Sequence, residues 1–395
     1  MTLADRLTQP AAPPRQKGTV DLTPEGAQIN NVVVEGEING DWGRVFELFN
    51  LDATQFEVVD DTVRMSTWQQ SARNRAGDRD AVQLYSYSAR FRRVNRGDTI
   101  PPETIAAWRD NLRRSKFPSP VTRGGGTYVV LIADPQLGKK GTEEAVANWR
   151  RGVERHVEAA NSLGVDAIHV AFMGDEIEAV ADNYTNQPHT IELNQSQQLE
   201  LDFDMRVWTL KQALRVGVPV SASSVISNHG EWTRRGSKDP VTTQNDNAST
   251  HIARQVQKLF VELEPHGVPP IHWTIGDTHP GITLTLSGVE CYFTHGYVEK
   301  GRGATVEQRM KAAIERQILG RTAELGTVRL WFTAHYHHNY SQEFEGRTLF
   351  GCPALEAERS SEYMLDQFGV WSPPGLLGMV VTDQEQRGWR HKNIW

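Results

Sequence analysis

Cysteine is scarce in this chain, with only Cys291 and Cys352 among 395 residues. That excludes a disulfide-stapled scaffold and points to a reducing compartment. No apolar run approaches the ~20 residues that a membrane span requires. The opening stretch MTLADRLTQPAAPPRQKG lacks the apolar core of a secretory signal. The chain is therefore expected to be soluble and cytoplasmic, with no membrane attachment. Internal repeats are absent too. Positive charge is in deficit, 42 Lys and Arg against 49 Asp and Glu, and a net charge of -7 excludes a protein that coats nucleic acid with its whole surface.

The charge that is present is unevenly distributed. Residues 1–61 hold 4 basic and 11 acidic side chains, whereas residues 64–116 hold 12 basic and 5 acidic ones. A basic block beside an acidic neighbour fits a local anionic partner, and equally fits a solvated charged surface.

Ser119-Pro120 followed by Arg123-Gly124-Gly125-Gly126 is the strongest punctuation in the sequence. It divides the chain into a flexible tail (1–26), a small N-terminal α+β domain (27–120) and a larger domain (125–395). In the small domain, Asp41 is placed to cap a short helix through WGRVFELFN. Two strands follow, around Val63–Trp68 and Val82–Val94, and PPETIAAWRDNLRRSK reads as a helix with basic residues at its end. In the large domain apolar strands alternate with amphipathic helices over most of 125–340, and hairpin-like strands come towards the end. The fold class is α/β, a layered β-sandwich flanked by helices.

Five of these strands run into residues able to bind a metal: Asp134 and Gln136, Asp175, Asn228 and His229, His295, then His335 and His337. The carboxyl ends of strands in layered α/β folds gather at one edge, where ligands and catalytic groups collect. A lone His or Asp at such a place is ordinarily a satisfied turn or core residue. Five in succession make coincidence a poor account. His338 adjoins the last pair as an orienting or exposed neighbour, and His189, His251, His272 and His279 lack matching spacing and read as structural.

In order along the chain these residues read D134-P-Q136, G174-D175-E-I-E178, S227-N228-H229-G-E231, T294-H295-G296 and A334-H335-Y-H337. The set resembles the ordered motifs of calcineurin-like metallophosphoesterases, D-x-H, G-D-x-x-[DE], G-N-H-[DE], a lone His, and G-H-x-H, over about 125–360. The chain departs from the pattern at Gln136 (usually His), at Ser227 and Ala334 (usually Gly), and in having no acid directly after His229. The resemblance implies two divalent ions. Asp134, Gln136, Asp175 and His337 would surround one, while Asp175, Asn228, His295 and His335 would hold the other, with Asp175 bridging. It also implies that His229 serves as general acid and that Glu178 orients it; the alternative for Glu178 is an exposed turn carboxylate. Mixed oxygen and imidazole donors suit Mn²⁺, with Fe or Zn²⁺ as alternatives. Gln136 ligates more weakly than imidazole would, so the first ion is expected to be the weaker one.

The family acts on phosphoproteins, nucleotides, cyclic nucleotides and nucleic acids. The stretch EIEAVADNY after Asp175 carries no Arg, which argues against a phosphoprotein phosphatase. The leading expectation is a phosphodiesterase acting on DNA, similar to phage-encoded exonuclease-like members and to the nuclease subunits of repair complexes. That likeness also implies a homo-oligomer or an ATPase partner subunit. The basic block with Trp68, Tyr85, Tyr87, Phe91 and Trp108 would hold backbone phosphates and stack bases. Arg234, Arg235, Lys238, Lys300 and Arg302 are further candidate phosphate contacts. The rivals are a small-molecule phosphatase or cyclic-nucleotide phosphodiesterase, with the basic block a small core fringed by arginines, and a catalytically weak scaffold of the same fold.

Overall fold

The computed structural model describes residues 18–93, 117–118 and 125–395, apart from 24–25, 50, 52, 54–55, 74–78, 181–186, 233–241, 244, 277–280, 298–302, 304, 358–363 and 367–368. The chain divides into two compact units, Met1–Gly97 and Asp98–Trp395. That division falls earlier than the Pro/Gly-rich punctuation around 120. The helix expected over 101–116 lies outside the described residues.

The first unit is an antiparallel sheet with a short helix. Its strands are β1 (Thr19–Thr23), β2 (Gly26–Glu35), β3 (Phe56–Val58), β4 (Arg64–Arg73) and β5 (Arg79–Arg93). The order is β1-β2-β5-β3, with β4 also paired to β5. β1 forms inside the stretch expected to be a tail, because T-V-D-L-T pairs with β2 in a continuous antiparallel register. β5 alternates as a half-exposed strand should, with Tyr87, Ala89 and Phe91 buried while Arg90 and Arg92 face solvent. The buried set packs on Trp42 and on Val45 and Phe46 of α1 (Gly43–Glu47). Asp41 serves the start of this helix, its Oδ1 accepting from the Gly43 amide at 3.0 Å.

The second unit has two sheets packed face to face. One has the order β16-β15-β6-β7-β8-β9, built from β6 (Thr127–Ile132), β7 (Ala167–Phe172), β8 (Val220–Ser224), β9 (Ile271–Ile275), β15 (Leu377–Val381) and β16 (Trp389–Ile394). β6 to β9 are parallel. The other has the order β10-β11-β12-β14-β13, from β10 (Ile282–Leu286), β11 (Val289–Phe293), β12 (Leu330–Thr333), β13 (Tyr340–Phe344) and β14 (Arg347–Gly351), with β11, β12 and β14 parallel.

Strand sequence explains the layering. Along β6, Val129 and Leu131 enter the core between the sheets, while Tyr128, Val130 and Ile132 enter the core under the helices. In β12, Leu330 and Phe332 face the other sheet and Trp331 faces outward onto a helix. With both faces buried, a strand reads as an unbroken apolar run rather than an alternation. The helices α2 (Thr142–Leu163), α3 (Gln195–Leu214) and α4 (Ala248–Leu263) cover the six-stranded sheet, and α5 (Val306–Gly320) covers the other. α3 begins with a reciprocal cap, Asn194 and Gln197 each accepting from the other's backbone N–H. The layered α/β sandwich flanked by helices is thus the observed architecture of this unit. Cys291 and Cys352 are free thiols buried between the sheets. No helix among the described residues is long and apolar enough to cross a membrane.

One charged cluster is buried beneath this layering. Arg206 of α3 is fully buried and pairs with Asp202 at 2.8 Å and Glu176 at 3.0 Å, its guanidinium 4.5 Å from the Phe172 ring centroid. Removing one partner of such a cluster strands the remaining charges in low dielectric, at a cost of ~3–5 kcal/mol. Arg206→Met is expected to lower unfolding stability by about that amount in urea denaturation. A loss under ~1 kcal/mol would show that the cluster can be replaced by packing.

Candidate metal centre

Five of the parallel strands of the two sheets run into polar turns. Asp134 and Gln136 follow β6, Asp175 follows β7, Asn228 and His229 follow β8, His295 follows β11, and His335 and His337 follow β12. To turn their side chains into one site these residues adopt unusual backbone. Asp134, Gln136, Asp175, His335 and His337 all have φ between 44° and 70°, five of the eleven left-handed non-glycine residues described. Left-handed backbone costs such residues about 1–3 kcal/mol each, and it concentrates where side-chain placement outranks local stability. Gly174 is required for another reason: a Cβ there would lie 2.5 Å from Ser227 Cβ and 2.8 Å from His295 Nδ1.

Asp175, His295 and His335 come together, their ligand atoms all within 4.8 Å of one another. Asp175 Oδ1 accepts from the His229 backbone N–H at 2.9 Å, and its Oδ2 lies 3.0 Å from His295 Nε2. His295 Nδ1–H donates to the Met173 carbonyl at 2.9 Å, which turns Nε2 towards the centre, 2.9 Å from Asn228 Oδ1. Burial opposes charge on Asp175, but His295, His229 and His335 outweigh it and hold the carboxyl far below the usual range. Burial likewise disfavours a charged His295, yet Asp175 and Asp134 raise it to about 9. His335 moves the other way, lowered to about 3 by burial and then by its cationic neighbour His295. One neutral imidazole, a second imidazole with its tautomer fixed, a carboxylate and an amide oxygen form a donor set that fits a divalent transition-metal ion.

The neighbouring half of the site is Asp134 and His337. Asp134 is fully buried, and its Oδ1, 3.4 Å from His337 Nε2, makes no hydrogen bond. The nearest partner of that oxygen is the His337 ring, an ion pair longer than a hydrogen bond. His337 Nδ1 is 2.6 Å from Glu356 Oε1. Burial disfavours the charged ring, but Glu356 and Asp134 raise it to about 10. Gln136, expected to ligate the same ion, instead accepts a hydrogen bond on Oε1 from Lys139 Nζ at 2.9 Å, and Lys139 also pairs with Glu356 Oε2 at 2.7 Å.

His229 contacts Glu178 chiefly through the main chain of that residue, not through the carboxylate. Its Nδ1–H donates to the main-chain carbonyl of Glu178 at 2.7 Å, while the Glu178 carboxylate is 3.5 Å away and accepts from Gln187 Nε2. Glu178 is completely buried, so it is not an exposed turn carboxylate. His338 pairs with Glu307 and Ser372 instead of facing the ligand set. His189, His251 and His272 are exposed, and His279 lies outside the described residues, as do Arg234, Arg235, Lys238, Lys300 and Arg302. Sequence reasoning missed Glu356 and Lys139. The signal for Glu356 was a further strand running into a polar turn, R347-T-L-F-G-C-P-A-L-E356.

No protein-family model matches the chain, and no curated protein matches it. Solved structures similar to it include an archaeal phosphodiesterase (9% identity over 68% of this chain and 99% of that one, TM-score 0.29). A dimetal phosphatase from Danio rerio is similar at 8% identity over 66% and 94%, TM-score 0.31. Vps29 of Entamoeba histolytica complexed with zinc is similar at 10% identity over 65% and 88%, TM-score 0.27. At TM-scores this low the likenesses carry no weight, and the fold and centre rest on the topology and distances above.

A divalent cation and the His295 ring proton compete for one lone pair. Because the proton is held up to a pKa of about 9, cation binding near neutral pH must expel it. Apparent Mn²⁺ affinity should therefore rise by roughly tenfold per pH unit between pH 6 and 8 for each proton displaced. Calorimetry in buffers of different ionisation enthalpy reads that release, and a pH-independent affinity would show that His295 does not ligate.

Proposed function

We propose that this protein is a metal-dependent phosphoester hydrolase that cleaves phosphodiester bonds. The single observation that carries this reading is the convergence of Asp175, His295 and His335 within 4.8 Å at the ends of three strands. Asn228 completes that donor set, and Asp134 and His337 lie in a neighbouring half-site whose amide oxygen, on Gln136, is engaged by Lys139. A divalent ion held by Asp175, Asn228, His295 and His335 would supply charge that polarises a phosphoryl oxygen and lowers the pKa of a water. The chain's own residues supply the rest. The Glu178 carbonyl pins Nδ1 of His229 and so assigns proton exchange with a leaving oxygen to Nε2. The backbone N–H of the same residue binds Asp175, so the turn that carries the general acid is tied to that ligand.

DNA is the proposed substrate, on the strength of the exposed Arg64, Arg90 and Trp68 of the first unit. A small diester is the second reading, and a specific observation favours it. Tyr87 and Phe91, two of the aromatics expected to stack bases, are buried in the core of that unit, and Tyr85 is half-buried and stacked on Tyr87. Trp108 lies outside the described residues.

Hydrolysis of labelled single- and double-stranded DNA and of bis-p-nitrophenyl phosphate, with Mn²⁺ and with chelator, tests both readings. Mn²⁺-dependent cleavage of DNA is the expected result. Turnover of the small diester alone would move the protein to the second reading, and no turnover of either would defeat both. Asp175→Asn should abolish turnover and weaken metal binding. His229→Ala should retain metal and lose ~10²–10⁴-fold in rate; if metal analysis shows the ion lost as well, His229 is not the acid.

A further inference from the structure

The two halves of the centre are not alike, and the difference lies in a lysine. In the Asp175 half, no Lys or Arg side chain among the described residues is hydrogen-bonded to or paired with Asp175, His295 or His335. In the Asp134 half, Lys139 Nζ sits 2.9 Å from Gln136 Oε1 and 2.7 Å from Glu356 Oε2. Glu356 Oε1 in turn holds His337 Nδ1 at 2.6 Å. An amide offers a metal one good donor atom, its oxygen, and the Gln136 oxygen is engaged by an ammonium group. Lys139 is largely withdrawn from solvent, with a side chain 12% exposed against 3% for Glu356. It is therefore a fixed charge rather than a surface lysine that swings in and out.

A further divalent ion at Asp134 and His337 would have to share the Gln136 oxygen with this ammonium or take it, and in either case would sit beside its positive charge. A divalent ion and an ammonium group roughly 5–6 Å apart at an effective dielectric of ~20 repel strongly enough to weaken binding by at least two orders of magnitude. Imidazole at position 136 could not accept from an ammonium while also ligating through the same nitrogen. An amide oxygen has two lone pairs and can hold the lysine.

We propose that Lys139 is a resident cation of the Asp134 half-site, so that the chain binds one divalent ion firmly, at Asp175, Asn228, His295 and His335, and takes a second only by displacing Lys139. The inference rests on the hydrolase reading above for the identity of the first ion. Lys139 is a positioning residue in this scheme. Through Gln136 and through Glu356–His337 it sets the half-site in place of a metal.

The test is a Mn²⁺ titration of the full chain, followed by metal analysis and by electron paramagnetic resonance, for wild type, Lys139→Met and Lys139→Arg. Wild type should hold one Mn²⁺ per chain with an uncoupled six-line spectrum. Lys139→Met should bind a second ion at least ~100-fold more tightly than wild type does, with the spectrum of an exchange-coupled pair. Lys139→Arg, which keeps the charge, should stay with one ion. A coupled pair in wild type at two equivalents of Mn²⁺ would overturn the proposal without touching the hydrolase reading, and that result needs no variant to fold. A single ion in both wild type and a folded Lys139→Met would also overturn it. Wild type that binds no Mn²⁺ would remove the metal reading itself, and this inference with it.

Discussion

A carboxylate buried as completely as that of Asp175 is costly unless donors and positive charge surround it, and most of the second unit can be understood as supplying them. The His229 amide reaches it from the end of β8, His295 from the end of β11, and His335 from the end of β12. Those three strands belong to two different sheets. The carboxylate is satisfied only if the sheets pack in one register, so the core between them fixes the site. Gly174, which leaves no room for a Cβ between Ser227 and His295, marks how close that approach is.

The residue after Asp175 extends the same logic inward. Glu176 accepts from the Gly174 amide at 3.2 Å and from Ser249 Oγ at 2.6 Å, and it pairs with Arg206 at 3.0 Å. A turn that must hold a strained φ of 52° at Asp175 is thereby tied to α3 and to the start of α4. Strain of this kind persists only where the surroundings over-determine it. A buried ion pair is poor evidence for stability by itself, since apolar packing often does as well. Here its position behind the turn gives it a conformational role that packing alone would not supply.

The parts legible in the sequence are those whose physics is local. Strands buried on both faces, such as T127-Y-V-V-L-I and L330-W-F-T, read as apolar runs, and the polar turns that follow them stand out for that reason. The succession of polar turns from Asp134 to His337 was therefore visible, and of its members Asp175, His295 and His335 lie within 4.8 Å of one another. What stayed hidden depends on partners far apart in the chain. Glu356 looks like one acid among several until it is found on His337, and the Glu178 main-chain carbonyl has no sequence signature at all. β1 escaped notice because a five-residue strand owes its existence to β2. Tyr87 and Phe91 sit among arginines in the sequence, and strand alternation sends them inward while Arg90 and Arg92 point out.

Gln136 shows how one exchange can redirect a site. At a position where the resembled family carries an imidazole, an amide supplies an oxygen that can hold an ammonium, and Lys139 is three residues away on the same turn. The turn brings the two together, its closure fixed by the Lys139 N–H donating to the Gln136 carbonyl at 3.1 Å. Glu356 then faces two cations at once, and although burial raises its pKa, His337 and Lys139 lower it to about 2. The resulting chain of charges, from Lys139 through Glu356 and His337 to Asp134, alternates in sign along its length. Such an arrangement is internally compensated, whereas the Asp175 half concentrates oxygen and nitrogen donors on one point. Each half pairs a histidine with a buried carboxylate, and the Asp134 half adds a lysine that engages its amide oxygen.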